Sequence, residues 1–143
     1  MELPVYVFTG FLEAGKTKSA RETLADERFN SGENTLLLLC EEGEEEYDCS
    51  FPNTTVTVVP VESEEELTAD FLSRQAKQCD ADRVVVEYNG MWKLETLYRA
   101  LPKGWFVYQE LMFADAGTFQ SYNANLRALV VDKLQGCELV VFN

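Results

Sequence analysis

Between Gly10 and Thr17 the chain reads Gly-Phe-Leu-Glu-Ala-Gly-Lys-Thr, a complete match to the pattern G-x-x-x-x-G-K-[ST]. The chemistry that such spacing serves is the holding of phosphate oxygens. Backbone N–H groups from Leu12 through Glu13, Ala14 and Gly15 to Thr17 would curl around a β-phosphate, and Gly10 and Gly15 permit the tight turning and close approach this requires. Lys16 would neutralise the β and γ oxygens. Thr17 would offer its hydroxyl to Mg²⁺ where a helix begins, so the positive end of that helix dipole points at the same anion. Lys18 stands next to it as a further phosphate-binding cation. Average residue usage gives this pattern by chance in about 0.5% of chains this long, which disfavours a strand-to-helix turn that binds nothing.

Composition narrows what a phosphate site could serve. The 143 residues include 12 Lys+Arg and 25 Asp+Glu, for a net charge of −13, and no histidine. Nucleic acid and anionic membrane surfaces would be repelled at long range. Mechanisms that use imidazole as base or metal ligand are excluded, Ser-His-Asp and Cys-His hydrolysis among them. In so acidic a protein a phosphate needs a local nest and a bound metal. The run from Glu41 to Asp48 reads as a solvated acidic loop, with Asp48 the residue best placed to join a magnesium site. Cys40, Cys49, Cys79 and Cys137 form no C-x-x-C pair and suit reduced, buried thiols in the cytoplasm. The longest apolar runs, at Leu36 to Cys40 and Leu139 to Phe142, fall far short of the ~20 residues that span a bilayer. The start of the chain lacks the pattern of a signal peptide, so the expected location is cytoplasmic, with no membrane contact.

Around the motif, short β-branched runs alternate with amphipathic stretches, the pattern of a mostly parallel sheet covered by helices. Strands are expected at Pro4 to Thr9, Thr35 to Cys40, Thr55 to Val59, Arg83 to Glu87, Trp105 to Ala114 and Leu139 to Phe142. A helix follows the motif from Lys16 to Asp26, and Asn30-Ser31-Gly32 turns the chain into the next strand. Ser63 and Glu66 have capping-box spacing, opening a helix with Leu67, Phe71 and Leu72 on its apolar face. Leu94, Leu97, Tyr98 and Leu101 mark another helix, stopped by Pro102, and Tyr122, Leu126, Leu129 and Val130 a last one. Trp92 and Trp105 read as core or interface aromatics. Glu87, at the end of its strand, is open between a capping or solvated carboxylate and a functional one.

Pro4-Val5-Tyr6-Val7-Phe8-Thr9-Gly10-Phe11-Leu12, running into Gly15-Lys16-Thr17, resembles the opening of the CobW-like P-loop GTPases, relatives of the UreG and HypB metallochaperones. Val84-Val85-Val86-Glu87-Tyr88-Asn89-Gly90 looks like their strand-borne E-x-x-G, Met112 to Ala116 like a later strand ending in aspartate, and Cys137 to Asn143 like the strand that enters N-K-x-D. The resemblance implies that Lys16 and Thr17 bind phosphate and Mg²⁺, and that Glu87 holds a metal-bound or attacking water. It further implies that Gly90 lets a backbone N–H approach the γ-phosphate. Three departures stand out. Lys18 replaces the family's second threonine, and Val58 to Glu62 occupy the place of its Cys-x-Cys-Cys motif. The chain stops at Asn143, the first residue of the base-recognition motif.

Residues 1–143 are therefore expected to form one α/β nucleotide-binding domain of the P-loop NTPase type, three layers with a mostly parallel sheet and helices on both faces. The domain is expected to lack the family's N-K-x-D region and C-terminal domain. The expected function is Mg²⁺-dependent binding of GTP (or ATP) with slow hydrolysis, the catalytic carboxylate being Glu87 and the metal shell Thr17, Glu87 and Asp48. One alternative is a nucleotide-dependent switch or assembly module that binds without turnover. Another is a small-molecule kinase, disfavoured because Arg21, Arg28, Arg74, Arg83, Arg99 and Arg127 suggest no lid cluster. Expected partners are the nucleotide and a nucleotide-dependent second copy or a metalloprotein client.

Overall fold

The computed structural model describes residues 2–10, 22–26, 30, 32–40, 54–114 and 139–142. Among these described residues six strands form one all-parallel sheet: β1 (Leu3–Gly10), β2 (Glu33–Leu39), β3 (Thr54–Pro60), β4 (Arg83–Glu87), β5 (Trp105–Ala114) and β6 (Leu139–Phe142), in the order β3-β2-β4-β1-β5-β6. Residues 22–25 are helical, and two further helices are α1 (Ala69–Gln78) and α2 (Leu94–Ala100). The chain is thus an α/β protein. Its central strands are near-continuous apolar runs because both faces are covered, and every residue of β4 is buried.

Side-chain alternation divides that core in two. Val5, Val7, Leu36, Leu38, Val84 and Val86 share one cluster with Leu72 and Ala76 of α1 and Leu94, Leu97 and Ala100 of α2. Leu37, Val56 and Val85 point to the opposite face and pack with Leu24 of the helical residues 22–25. From β1 the chain moves toward the β3 edge along the Leu24 face. It moves back, from β3 to β4 and from β4 across β1 to β5, along the other face. A uniform crossover hand requires this use of opposite faces for opposite directions. Trp92 and Trp105 pack against the larger cluster, as their aromatic bulk suggested.

Ser63 caps less than its spacing suggests. Its hydroxyl accepts from the Glu65 N–H, but only a three-residue 3-10 turn, Glu64–Glu66, follows. The α-helix begins at Ala69, where the Thr68 hydroxyl accepts from the Phe71 N–H at 3.1 Å. Leu67 is buried in the core cluster, which places it before the helix rather than on it. At the other end of α1, Asp80 takes a left-handed backbone (φ 51°). The Ala81 N–H then returns to the Ala76 carbonyl and the Asp80 N–H to that of Lys77, closing the helix in a Schellman motif.

The amino edge of the sheet is tied by a buried guanidinium. Arg83 Nε donates to Thr35 Oγ1 at 2.8 Å and an Nη donates to Asn30 Oδ1 at 2.5 Å, with Glu33 Oε2 3.8 Å away. Asn30 in turn donates to the Leu24 carbonyl, so the relay reaches the helical segment that covers the smaller core. Burial lowers the Arg83 pKa from its ordinary value, while Glu33 opposes that shift. Hydrogen bonds to a charged group contribute about 1.5–3 kcal/mol each. The exposed Arg99–Glu95 pair, though close at 2.5 Å, belongs to a class that contributes about 0–1 kcal/mol. No helix among the described residues is long and apolar enough to cross a membrane.

Candidate functional site

Adjacent parallel strands whose following helices lie on opposite faces leave a crevice at their carboxyl ends, the common ligand position in open α/β sheets. Here those strands are β1 and β4, because the helical residues after β1 lie on the Leu24 face and α2 lies on the other. The first ends at Gly10 and the second at Glu87. Phe8 is in register with Glu87, and the Tyr88 N–H donates to the Phe8 carbonyl at 2.8 Å, which continues the strand pairing into the loop after β4. On the other side of β4 the Cys40 N–H donates to the Glu87 carbonyl at 3.0 Å.

Gly10 has φ 137°, a backbone conformation that side chains disfavour, so the first glycine of the motif is needed to turn the chain off β1. Glu87 is 1% exposed, and strand alternation places it on the face of Val85, the same face as Leu24. A carboxylate is rarely buried to that degree unless neighbouring groups hold its charge. Tyr88, one residue on, points to the opposite face and into the larger core.

The loop from Tyr88 to Lys93 is closed by its own hydrogen bonds. Asn89 Oδ1 accepts from the Met91 N–H at 2.8 Å, and the Trp92 N–H donates to the Asn89 carbonyl at 3.1 Å, a turn with Gly90 and Met91 at its centre. Tyr88 Oη donates to the Lys93 carbonyl at 2.6 Å, and the Tyr88 ring meets the edge of Trp92 with centroids 5.9 Å apart. Gly90 is buried, and its φ lies outside the left-handed region.

Of the residues singled out by sequence, Gly10, Glu87 and Gly90 fall at this carboxyl edge. Leu12, Glu13, Ala14, Gly15, Lys16, Thr17, Lys18, Asp48 and Asn143 lie outside the described residues. The same holds for Cys49, Cys137 and the last expected helix. Among the described residues, no group of three or more Cys, Asp or Glu side chains could hold a metal ion. Cys40 is buried, and burial raises the Cys79 pKa, which suits an inert structural thiol.

Two polar groups near the site have no sequence signal. Thr9, fully buried on β1, has a hydroxyl with no hydrogen-bond partner among the described residues. Glu110 of β5 is buried in register with Val7 and accepts a hydrogen bond from Tyr98 of α2. A shift in register opposite Val5 and Tyr6, where β5 carries one extra residue, sets Glu110 on the α2 face. An alternation count along the strand cannot anticipate such a bulge.

Compared with protein-family models and with curated proteins, the chain matches none.

Proposed function

We propose that the chain is a P-loop nucleotide-binding domain that takes GTP or ATP with Mg²⁺ at the carboxyl ends of β1 and β4 and hydrolyses the triphosphate slowly. The observation that carries this reading is the convergence of the two motifs. Gly10, which opens G-x-x-x-x-G-K-T, and Glu87, which opens E-x-x-G, end adjacent parallel strands at the point where the covering helices change face. Two motifs 77 positions apart thus open at adjacent strand ends, an arrangement that one ligand could use.

In this account the main chain from Leu12 to Thr17 and the Lys16 ammonium hold the phosphates, while Thr17 and Asp48 hold the metal and Glu87 meets its shell through a water. The metal would supply charge neutralisation between the β- and γ-phosphates. The buried Glu87 carboxylate orients a water, and the Gly90 backbone meets the γ-phosphate. The CobW-like resemblance supports guanine over adenine in principle. However, the aspartate that would pair with the base is not among these residues, and Asn143 alone cannot replace it.

A base preference is the property most sensitive to that departure. A hydrogen-bonded charged partner contributes about 1.5–3 kcal/mol, equivalent to roughly 10- to 150-fold in affinity. Residues 1–143 by themselves are therefore expected to bind GDP and ADP with nearly equal, weak affinity in magnesium, as side-by-side calorimetric titrations would measure. A guanine preference above about tenfold would mean that another group in this chain reads the base. Absence of binding to both would remove the phosphate site itself.

A further inference from the structure

We infer that Tyr88 is a positioning residue: its hydroxyl sets the turn that presents the Gly90 backbone, and it thereby governs discrimination between a nucleoside triphosphate and a diphosphate. The inference rests on the phosphate-site reading above and extends it to a residue that the E-x-x-G pattern leaves unspecified. Tyr88 is fully buried, and it touches both ends of the segment between β4 and α2. Its N–H is bonded to the Phe8 carbonyl of β1, the strand that leads into the phosphate motif. Its hydroxyl is bonded at 2.6 Å to the carbonyl of Lys93, the residue that caps α2. The intervening turn is held by Asn89 and flanked by Trp92, whose ring the Tyr88 ring meets edge-on.

Glu87 and Tyr88 project to opposite faces of the sheet. The carboxylate thus serves the crevice, and the phenol is rooted in the core beneath α2. One backbone step couples them. If the Lys93 carbonyl loses its phenol partner, the turn can drift relative to β1 while the ring still fills its place in the core. The Tyr88 N–H bond to the Phe8 carbonyl of β1 does not depend on the phenol. Contacts to a β-phosphate should therefore persist, and a contact that only a γ-phosphate can make should weaken.

Tyr88→Phe keeps the ring and removes only the hydroxyl. Titrations would compare GDP with the non-hydrolysable β,γ-imido analogue of GTP, both in magnesium. The expected result is GDP affinity unchanged within about twofold and a triphosphate-over-diphosphate preference reduced about 3- to 10-fold, the range of one neutral hydrogen bond. Asn89→Ala, which releases the same turn from its other anchor, should move the ratio in the same direction. An unchanged ratio in both variants would overturn the inference, and so would an equal fall for both ligands, which marks a general loss of structure. If the unsubstituted chain binds GDP without preferring the triphosphate, Gly90 does not read the γ-phosphate. The positioning role then falls while the phosphate loop stands. If it binds neither ligand, the phosphate-site reading fails and takes this inference with it.

Discussion

Lys16→Ala is expected to weaken binding of magnesium-GDP and magnesium-GTP by at least about 100-fold, beyond the reach of an ordinary calorimetric titration. The size follows from two charge-assisted contacts, to the β- and γ-phosphates, each contributing about 1.5–3 kcal/mol. The surroundings add to the loss. With a net charge of −13, the protein repels a polyanion everywhere except at its dedicated nest, so no neighbouring cation compensates. Lys18 is the nearest cation in sequence, but it stands where the family's hydroxyl would meet the α-phosphate, so it does not replace the β and γ contacts. Unchanged affinity in Lys16→Ala would mean that the nucleotide, if bound, is held elsewhere.

Glu87→Gln is expected to spare nucleotide affinity within a few-fold and to slow single-turnover hydrolysis by about 100-fold or more, the scale of a positioned acid or base. Glutamine keeps the shape of the buried side chain at the end of β4 and removes the charge that would orient a water. Affinity lost together with turnover would assign Glu87 to the magnesium shell. Turnover unchanged would leave it a structural carboxylate. Binding without phosphate release in the unsubstituted chain would favour the switch module over the hydrolase.

The strands were readable because their signals are local. β4 (Arg83–Glu87) and β5 (Trp105–Ala114) occupy the residues that the β-branched and aromatic runs mark, and Pro102 and Gly104 separate β5 from α2. Capping was less readable. Ser63-x-x-Glu66 and Thr68-x-x-Phe71 lie five residues apart, and the second opens the α-helix because Leu67 takes an extended backbone (φ −74°, ψ 96°) that ends any helix running through it. The order β2-β4-β1-β5 was beyond reach. Pairing between strands tens of residues apart is decided by how the two faces are covered, not by any single segment. Gly10 could be named from motif spacing and Glu87 only from the family resemblance, whereas their adjacency needed the sheet. Tyr88 carried no signal at all, since its hydroxyl reaches a backbone carbonyl five residues on, and a carbonyl has no residue identity.

The most direct test of a phosphate site at the ends of β1 and β4 is an amide-resolved NMR titration of the chain with magnesium-GDP. The proposed site predicts saturable shifts concentrated at residues 10–18 and 87–91. Asn34, Asp82 and Arg83, at the opposite edge of the same sheet, should stay unmoved. Shifts centred on that amino edge, or none at millimolar nucleotide, would contradict it.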